Sequence, residues 1–541
     1  MGTEPAPTMT SDRLAGAPTV AAPGNEEPRR ADPKWWTLAA VCLGTFMLLL
    51  DVTIVIVALP SIQTSLHSTF TDLQWVVDAY ALTLAALLLT SGSLADLYGR
   101  RLLWLVGLAI FTLASALCGA AQSTLMLQIS RGVQGVGGAI MFSVSLALLA
   151  NAFHGKDRGV AFAIWGAITG VAVAVGPIVG GALVTGLSWR YIFYVNLPVG
   201  IVAGALSLTR ILESRAPVAR RPDWPGFVLF TGALACLVYA LIESGFAGFG
   251  AGQVIGCFVA AGVLLVSFLV VEGRGKHAMF DLALFRLPTF SGGAIAAFGV
   301  SATIFSMFLY LVLYIQDVLG YSALQTGLRL LLVSGGVLAV SSITGRLTSH
   351  VPIRILIGPG LVMVGLGLLW MRGLDASSSW THLIGGLVLS GVGVGFINPP
   401  LASTAVGVVQ PQRAGMASGI NSTFRQVGIA TGIALLGTLF ANRLGSAVAG
   451  ATAHTPLASR SRAITSGLEN GQVTQLFHSV PRGDSGVLDE VLRGSFTTAL
   501  NEILLVSGIV AIVCGVLAFL LIRQKDFVPS GPGAAGAGAG H

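Results

Sequence analysis

Charged residues are scarce in this chain of 541 residues. Asp, Glu, Lys and Arg make up 10% of it, whereas 54% is hydrophobic and the mean hydropathy is +0.82. A soluble protein is typically about 25% charged, and even a large soluble domain leaves roughly a quarter of its unfolded surface in water. The composition therefore excludes a soluble enzyme, a disordered chain and a nucleic-acid-binding protein.

Residues that build reactive or metal sites are also few and scattered. The five cysteines stand far apart without a CxxC pair, which excludes a disulfide framework. No GxxxxGK[ST] segment is present, so an ATP-driven pump is excluded within this chain. The eight histidines form no catalytic cluster. The sequence therefore predicts no cofactor, no metal site and no enzyme activity.

Apolar segments long enough to cross a membrane are missing from both ends of the chain. Residues 1–35 are rich in Ala and Pro and contain no apolar core of a signal peptide. Residues 523–541 end in a low-complexity Gly- and Ala-rich stretch. Both segments are predicted to be disordered cytoplasmic tails.

Between these tails the chain is dominated by apolar runs of the length that crosses a bilayer. A helix needs about 20 apolar residues to span the hydrocarbon core. The sequence predicts fourteen such helices, at 36–59, 74–95, 102–121, 124–150, 159–183, 190–211, 226–245, 252–272, 290–316, 324–347, 353–372, 382–408, 416–441 and 498–522.

The distribution of basic residues predicts the orientation of these helices. With the N-terminus inside the cell, 20 of the 30 Lys and Arg fall on the cytoplasmic side and seven on the outside. This asymmetry follows the positive-inside rule. Both termini are therefore predicted to be cytoplasmic, in a multi-pass protein of a bacterial plasma membrane.

Glycines recur with a nearly constant shift along the chain. Gly92 corresponds to Gly345, and Gly176 to Gly432. The shift indicates two homologous six-helix bundles, which is typical of transporters. The predicted organisation is an N-terminal bundle at 36–211, two inserted helices at 226–272, and a C-terminal bundle at 290–522 with a long outer loop at 442–497.

Five sequence motifs follow this helix pattern in order. They are Leu50-Asp51-Val-Thr53 in helix 1, Gly92-Ser-Leu-Ala-Asp96-Leu-Tyr-Gly99-Arg100-Arg101 after helix 2, Arg131-Gly-Val-Gln134-Gly135 in helix 4, Gly176-Pro-Ile-Val-Gly180-Gly181 in helix 5, and Trp189-Arg190 to Asn196-Leu-Pro198 at the start of helix 6. Together they resemble the major facilitator superfamily, specifically its drug:proton antiporters with fourteen spans. The resemblance runs from about Trp35 to Arg523.

The resemblance implies an all-α integral membrane protein with the major facilitator fold and a proton-driven export function. It also implies a functional monomer whose partners are a small-molecule substrate, protons and the lipid bilayer. Two motifs would control the alternation between states. Their residues are Gly92, Asp96, Gly99, Arg100 and Arg101 in one motif and Gly176, Pro177, Gly180 and Gly181 in the other.

Ionisable residues inside the spans are the candidates for proton coupling, because a charge in hydrocarbon is costly. Asp51 lies midway along helix 1, and the resemblance adds weight to it. Arg131 lies within helix 4 and needs a partner, for which Asp51 is the candidate. Asp78 is predicted near the outer end of helix 2, where an interfacial carboxylate facing water is the alternative. Asp317 falls at a span end and is predicted to be solvated or capping.

The substrate cavity is predicted between the two bundles. Its candidate residues are Gln134, Phe305, Tyr310, Tyr314, Asn398, Asn421 and Arg425. The C-terminal half contains no deep carboxylate, so a neutral or weakly anionic amphipathic substrate is favoured over a polycation. Two alternatives remain at this point: a proton symporter for uptake, and a membrane receptor or enzyme.

Overall fold

The computed structural model describes residue 2 and residues 33–153, 155–215, 223–275, 280–348, 350–409, 414–469, 476–477, 480–481 and 484–527. These residues contain no β-strand and form 14 helices long and apolar enough to cross a membrane. We number them α1 Pro33–Leu66, α2 Phe70–Tyr98, α3 Arg100–Gly119, α4 Thr124–Ala152, α5 Gly155–Gly186, α6 Tyr191–Arg210, α7 Trp224–Ala247, α8 Gly252–Arg274, α9 Pro288–Val318, α10 Ala323–Leu347, α11 Ile353–Trp370, α12 Trp380–Val406, α13 Ala414–Thr452 and α14 Ser485–Leu521.

The predicted number of helices is confirmed, but several helices are longer than predicted. Helix α13 continues to Thr452 and α14 begins at Ser485, so the predicted outer loop at 442–497 is shorter in the structure. Helix α1 begins at Pro33, within the predicted N-terminal tail. Most of the two predicted tails, 1–32 apart from residue 2 and 528–541, lies outside the described residues.

Helix α2 begins four residues earlier than its apolar run indicates. Thr69 and Asp72 form a capping box, in which each side chain accepts a hydrogen bond from the backbone N–H of the other residue. The cap fixes the first turn at Phe70. Asp78 therefore lies more than two turns inside the helix, not at its edge.

Two bundles with equivalent packing account for twelve of the helices. In α1–α6, α4 packs against α2 and α3, and α5 packs against α1. In α9–α14, α12 packs against α10 and α11, and α13 packs against α9. Close backbone contacts repeat as well: Gly176 faces the hydroxyl of Thr53, and Gly432 faces that of Ser306. The sequence repeat is therefore also a repeat of packing.

The two inserted helices lie beside the junction of the bundles. Helix α7 packs against α8 and also against α2 and α13, one helix from each bundle. The Thr438 hydroxyl of α13 donates a hydrogen bond to the carbonyl of Leu241 in α7. Helix α8 presents a broad exposed apolar face, including Val259, Val263 and Val266, which suits contact with lipid chains.

The bundles meet along two pseudo-equivalent helix pairs, α5 with α10 and α2 with α13. We call the end of the molecule where α1 begins and α14 ends the terminal face, and the other end the opposite face. Helix α9 is irregular along this interface, because Ser301–Phe305 and Tyr314–Val318 are π-helical turns. Such turns often occur at functional positions.

Candidate functional site

A fully buried ion pair lies at the centre of the N-terminal bundle. Asp51 of α1 has no exposed surface, and Arg131 of α4 is 1% exposed. The Nη1 atom of Arg131 lies 2.5 Å from Oδ2 of Asp51. The partner expected for Arg131 from the sequence is therefore the one that it contacts.

Three further polar side chains complete this ion pair into a network. Gln134 donates from Nε2 to Oδ1 of Asp51 at 2.8 Å, and Asn196 of α6 donates to the same oxygen at 3.1 Å. Both amides also donate to the hydroxyl of Ser115 in α3. Gln134, predicted to line the substrate cavity, belongs to this network instead and is fully buried.

The Arg131 guanidinium is held by more than its carboxylate partner. It donates to the side-chain oxygen of Gln134 at 2.7 Å and to the carbonyl of Val76 at 3.2 Å. It also lies 4.2 Å from the centre of the Tyr80 ring, a cation–π arrangement. Proton uptake by Asp51 would weaken one contact of this arginine while leaving the others in place. The site can therefore register the protonation of Asp51 as a change in how α1 is held to α4.

Two residues of the network, Asn196 and Ser115, are not among the site residues predicted from the sequence. Asn196 stands in the motif at the start of helix 6, which is a signal for it in the sequence. Ser115 carries no signal, because a serine in an apolar helix is usually a packing residue. Its role depends on α3 placing it beside α4 and α6, which a single sequence does not show.

Asp78 is a second buried acid, separate from the first. It has no exposed surface, and neither of its carboxylate oxygens has a hydrogen-bond partner among the described residues. The alternative of an interfacial carboxylate facing water is therefore wrong. A buried polar group without a partner is costly, and its retention in a span favours a function.

The glycine motif of α5 has two packing faces. Gly176 and Gly180 lie against Thr53 and Ile54 of α1, within the same bundle. Gly181 lies against the backbone of Ala323 and Leu324 in α10, across the interface. The carbonyl of Pro177 approaches Gly327 of α10 in the same way. Only the second face can respond directly to movement between the bundles.

We expect Gly181→Ala to loosen the closure of the bundles at the opposite face. An added Cβ would stand 2.6 Å from the carbonyl oxygen of Ala323, and backbone cannot move aside as a side chain can. Overpacking costs about 1–3 kcal/mol, so labelling of a cysteine placed at Val57, which is 1% exposed, should become roughly tenfold faster. Gly186→Ala is the control, because its Cβ would meet no atom within 4 Å. Equal labelling in both variants would refute this role of Gly181.

The motif after α2 is held within its own bundle. Asp96 and Arg100 form an ion pair at 2.8 Å, and Gly99 has a φ of 128° that favours glycine. Arg101 donates from its guanidinium to the carbonyl of Leu208. The Glu213 carboxylate, which lies outside the five sequence motifs, accepts hydrogen bonds from the backbone N–H groups of Arg101 and Leu102. A Cβ at Gly92 would meet no atom within 4 Å, so the motif has open space beside it.

A cavity with about 570 Å³ of empty space, part of it open to solvent, lies between the bundles. Helices α1 and α5 form one wall, and α9, α10 and α12 form the other. Its lining is apolar apart from a few polar side chains, which suits an amphipathic ligand. The lining residues are Thr53, Ile56, Val57, Val173, Pro177, Ile304, Phe305, Phe308, Leu330, Val333, Ser334, Val337, Val394 and Asn398.

Of the predicted cavity residues, Phe305 and Asn398 line this space. Arg425 stands behind the wall and donates to the side-chain oxygen of Asn398 at 2.7 Å. Asn421 is buried and donates to the carbonyl of Leu401. Tyr310 and Tyr314 are fully buried and lie outside the cavity lining.

The cavity is sealed from the opposite face by hydrogen bonds between the bundles. Gln316 donates to the carbonyl of Val57 at 2.9 Å, and the backbone N–H of Leu324 donates to the Thr185 hydroxyl at 3.1 Å. Gln74 of α2 donates to the carbonyl of Ile433 in α13 at 3.0 Å. Substrate can therefore leave toward the opposite face only after these contacts separate.

Comparison with known proteins places this architecture in a family context. The sequence profile of the Major Facilitator Superfamily matches residues 41–433. The chain is 41% identical over 406 residues to the multidrug resistance protein Stp of Mycobacterium tuberculosis, covering 75% of each protein. It is 33% identical over 532 residues to the tetracenomycin C resistance and export protein of Streptomyces glaucescens, covering 96% of each.

The fold is also found among solved structures. A bacterial homologue of the human lysosomal transporter Spinster, in an inward-facing and occupied conformation, superposes with a TM-score of 0.63. The match covers 93% of this chain and 100% of that one at 14% sequence identity. At this identity the likeness concerns the fold alone.

Proposed function

Because the chain belongs to the Major Facilitator Superfamily and is a membrane transporter rather than an enzyme, we propose that it exports amphipathic small molecules in exchange for protons. The observation that carries the proposal is the fully buried Asp51–Arg131 network beside a closable cavity. The relatives named for multidrug resistance and for tetracenomycin C export support the direction of transport. The distribution of basic residues supports cytoplasmic termini in a bacterial plasma membrane.

The proposed cycle uses the two buried acids and the two interface motifs. With the opposite face open, a proton binds to the N-terminal bundle, where Asp51 and Asp78 are the carboxylates without exposed surface. With the opposite face closed, as here, the proton leaves toward the cytoplasm and substrate enters the cavity. The α5 glycine motif and the motif after α2 bias the change between these states. A single chain contains every part of this cycle, which supports a functional monomer.

The test is transport by inverted membrane vesicles with an acidic interior, using tetracenomycin C as the probe. Export from the cell corresponds to uptake into these vesicles, so the wild-type protein should accumulate a probe and release protons from the lumen. Vesicles without the protein set the background. Accumulation of a probe by whole cells under an inward proton gradient would instead establish the symporter and refute the antiporter.

We further propose that the exported compound is neutral or weakly acidic. No residue that lines the described cavity is a carboxylate. The guanidinium of Arg425 donates a hydrogen bond to Asn398 on the cavity wall, and Arg425 has no ion pair among the described residues. A half-buried cation without an acidic partner attracts an anionic group and disfavours an ammonium group.

We expect Arg425→Gln to reduce the affinity for acidic probes selectively. The measurement compares an aromatic carboxylic acid with its methyl ester, which share shape and differ in charge. Through-space attraction between two opposite charges about 10 Å apart is roughly 1–2 kcal/mol at an effective dielectric constant of about 20, so affinity for the acid should fall about tenfold while that for the ester changes little. Arg329→Gln is the control, since Arg329 is stacked on Tyr321 and Trp380 elsewhere in the same bundle. Equal losses for acid and ester would contradict this assignment.

A further inference from the structure

A second, smaller cavity lies between the bundles at the opposite face. It has about 350 Å³ of empty space, part of which is open to solvent, and is bounded by residues of α1, α2, α9, α13 and α14 and by Leu468 of the short helix Ser461–Glu469. The rings of Phe70, Phe440 and Phe496 and the polar side chains of Gln63 and Asp317 line it. Among the described residues that line it, Asp317 is the acid. Asp317 is exposed, in agreement with the prediction of a solvated side chain, and also lines this cavity.

Two helix faces connect this cavity with the buried Asp78. On α2, Phe70 lines the cavity, and Gln74 and Asp78 follow at intervals of four residues on the same face. On α9, Asp317 lines the cavity, and Tyr310, earlier in the same helix, contacts the cavity residues Phe70 and Phe440 with its ring. The Phe70 and Tyr310 rings are in contact, with centroids 5.8 Å apart. The two faces therefore run together from Asp317 toward Asp78.

A narrow polar junction separates the cavity from Asp78. The Gln74 amide donates to the carbonyl of Ile433 at 3.0 Å, and the Tyr310 hydroxyl donates to the same carbonyl at 2.9 Å. The Gln74 side chain fills the space beside Gly437 of α13. All three groups sit between bundles that must separate when the opposite face opens.

Few other charged side chains lie around Asp78 and Asp317. The phenol facing Asp78 is that of Tyr310, with which it interacts electrostatically. Helix α13 has no titratable side chain between Val427 and Phe440. The adjacent helices carry Arg131, engaged by Asp51, and Tyr239 and Glu243 of α7. Near the Asp317 cavity, Asp72 belongs to the cap of α2 and Arg493 pairs with Asp489.

We propose that Asp317 is the entry site through which protons from the opposite face reach Asp78, with Gln74 and Tyr310 as the gate between them. This inference rests on the proposed proton coupling. A proton from bulk water binds the Asp317 carboxylate and passes to the Asp78 carboxylate, either directly or through water, when the junction opens. Asp317 returns to its carboxylate form and Asp78 holds the proton. Asp317 relays the proton, Gln74 and Tyr310 act as positioning residues at the junction, and Asp78 is the group that holds the coupled proton.

The test follows the proton on Asp78 without any substrate. The infrared carbonyl band of the protonated Asp78 carboxyl is identified in purified full-length protein by its loss in Asp78→Asn. Its shift on transfer into heavy water then reports hydrogen–deuterium exchange at this one group. We expect exchange to be slower on the order of 10²-fold in Asp317→Asn, the lower range for loss of a positioned proton carrier. Glu243→Gln is the matched control, because it removes an acid from the opposite-face end of α7, outside the cavity.

Gln74→Met provides a second variant that keeps Asp317 intact. It removes the amide from the junction with little change in side-chain volume. The rate of hydrogen–deuterium exchange at Asp78 should therefore differ from the wild-type rate in this variant too. Wild-type exchange in both Asp317→Asn and Gln74→Met would overturn the entry route, even if inverted vesicles show proton-driven export. Absence of a protonated Asp78 band at every pH would overturn it as well. Failure of proton-driven export in wild-type vesicles would refute the proposed function. The exchange measurement on purified protein would still decide whether protons reach Asp78 through Asp317.

Discussion

Replacing Asp51 with asparagine is expected to reduce gradient-driven export to background. Asparagine has nearly the same shape and keeps a side-chain oxygen for the amides of Gln134 and Asn196. It cannot exchange a proton, however, so an imposed pH gradient has nothing to act on at this site. The measurement is uptake of a probe by inverted membrane vesicles, with and without a pH gradient across the membrane.

The structure also indicates how this variant should retain its fold. Arg131 loses its carboxylate partner but keeps Gln134, the Val76 carbonyl and the Tyr80 ring. These contacts offset part of the about 3–5 kcal/mol that an unpaired buried charge costs. We therefore expect Asp51→Asn to be less stable than the wild type but still inserted, and to exchange probe down its own gradient. Asp489→Asn, which breaks a half-exposed ion pair, is the control for loss of one acid. Normal gradient-driven export by the Asp51 variant would remove Asp51 from the mechanism.

Much of the fold could be predicted because a bilayer imposes strong rules on sequence. Each span must be long and apolar, so runs such as 102–121 and 353–372 lie close to α3 and α11. The Asp51–Arg131 contact could be expected as well, since two charges within spans of one bundle are costly unless they meet. Neither inference required knowledge of how the helices are rotated.

What the sequence could not show is which way a helical residue faces in an irregular helix. Phe305 lies in the first π-helical turn of α9 and lines the cavity, whereas Tyr310 and Tyr314 come after it. A π-helical turn contains more residues than an α-helical turn, so the direction of the residues around it cannot be read from regular spacing. Tyr310 instead faces Ile433, and the hydroxyl of Tyr314 faces the carbonyl of Ser378.

The predicted position of Asp78 near the end of helix 2 is wrong for a different reason. Hydropathy locates the apolar part of a helix but not its polar first turn. The capping box at Thr69 and Asp72 adds that turn outside the run beginning at 74. The capping signal is readable in the sequence as Thr followed three residues later by an acid. Using it would have placed Asp78 deeper and identified it as buried.

The second large effect concerns Arg131, whose replacement by methionine should be strongly destabilising. Methionine fills similar space but leaves the Asp51 carboxylate fully buried without a cation. Removing one partner of a buried pair costs about 3–5 kcal/mol, so the variant should insert poorly and lose heat stability in detergent. Proton uptake by Asp51 would relieve this cost, so the loss should be smaller at acidic pH than at alkaline pH.

The double variant Asp51→Asn with Arg131→Met separates structure from mechanism. It contains no uncompensated charge, and replacing a whole buried ion pair by neutral residues is often neutral for stability. We therefore expect its heat stability to exceed that of Arg131→Met alone and to depend little on pH, while gradient-driven export stays at background. If the double variant were as unstable as the single one, the stability of this region would depend on Arg131 packing against Tyr80 and Val76, not on the charge pair. If the double variant exported a probe under a pH gradient, the network would be structural, and proton coupling would have to reside in Asp78.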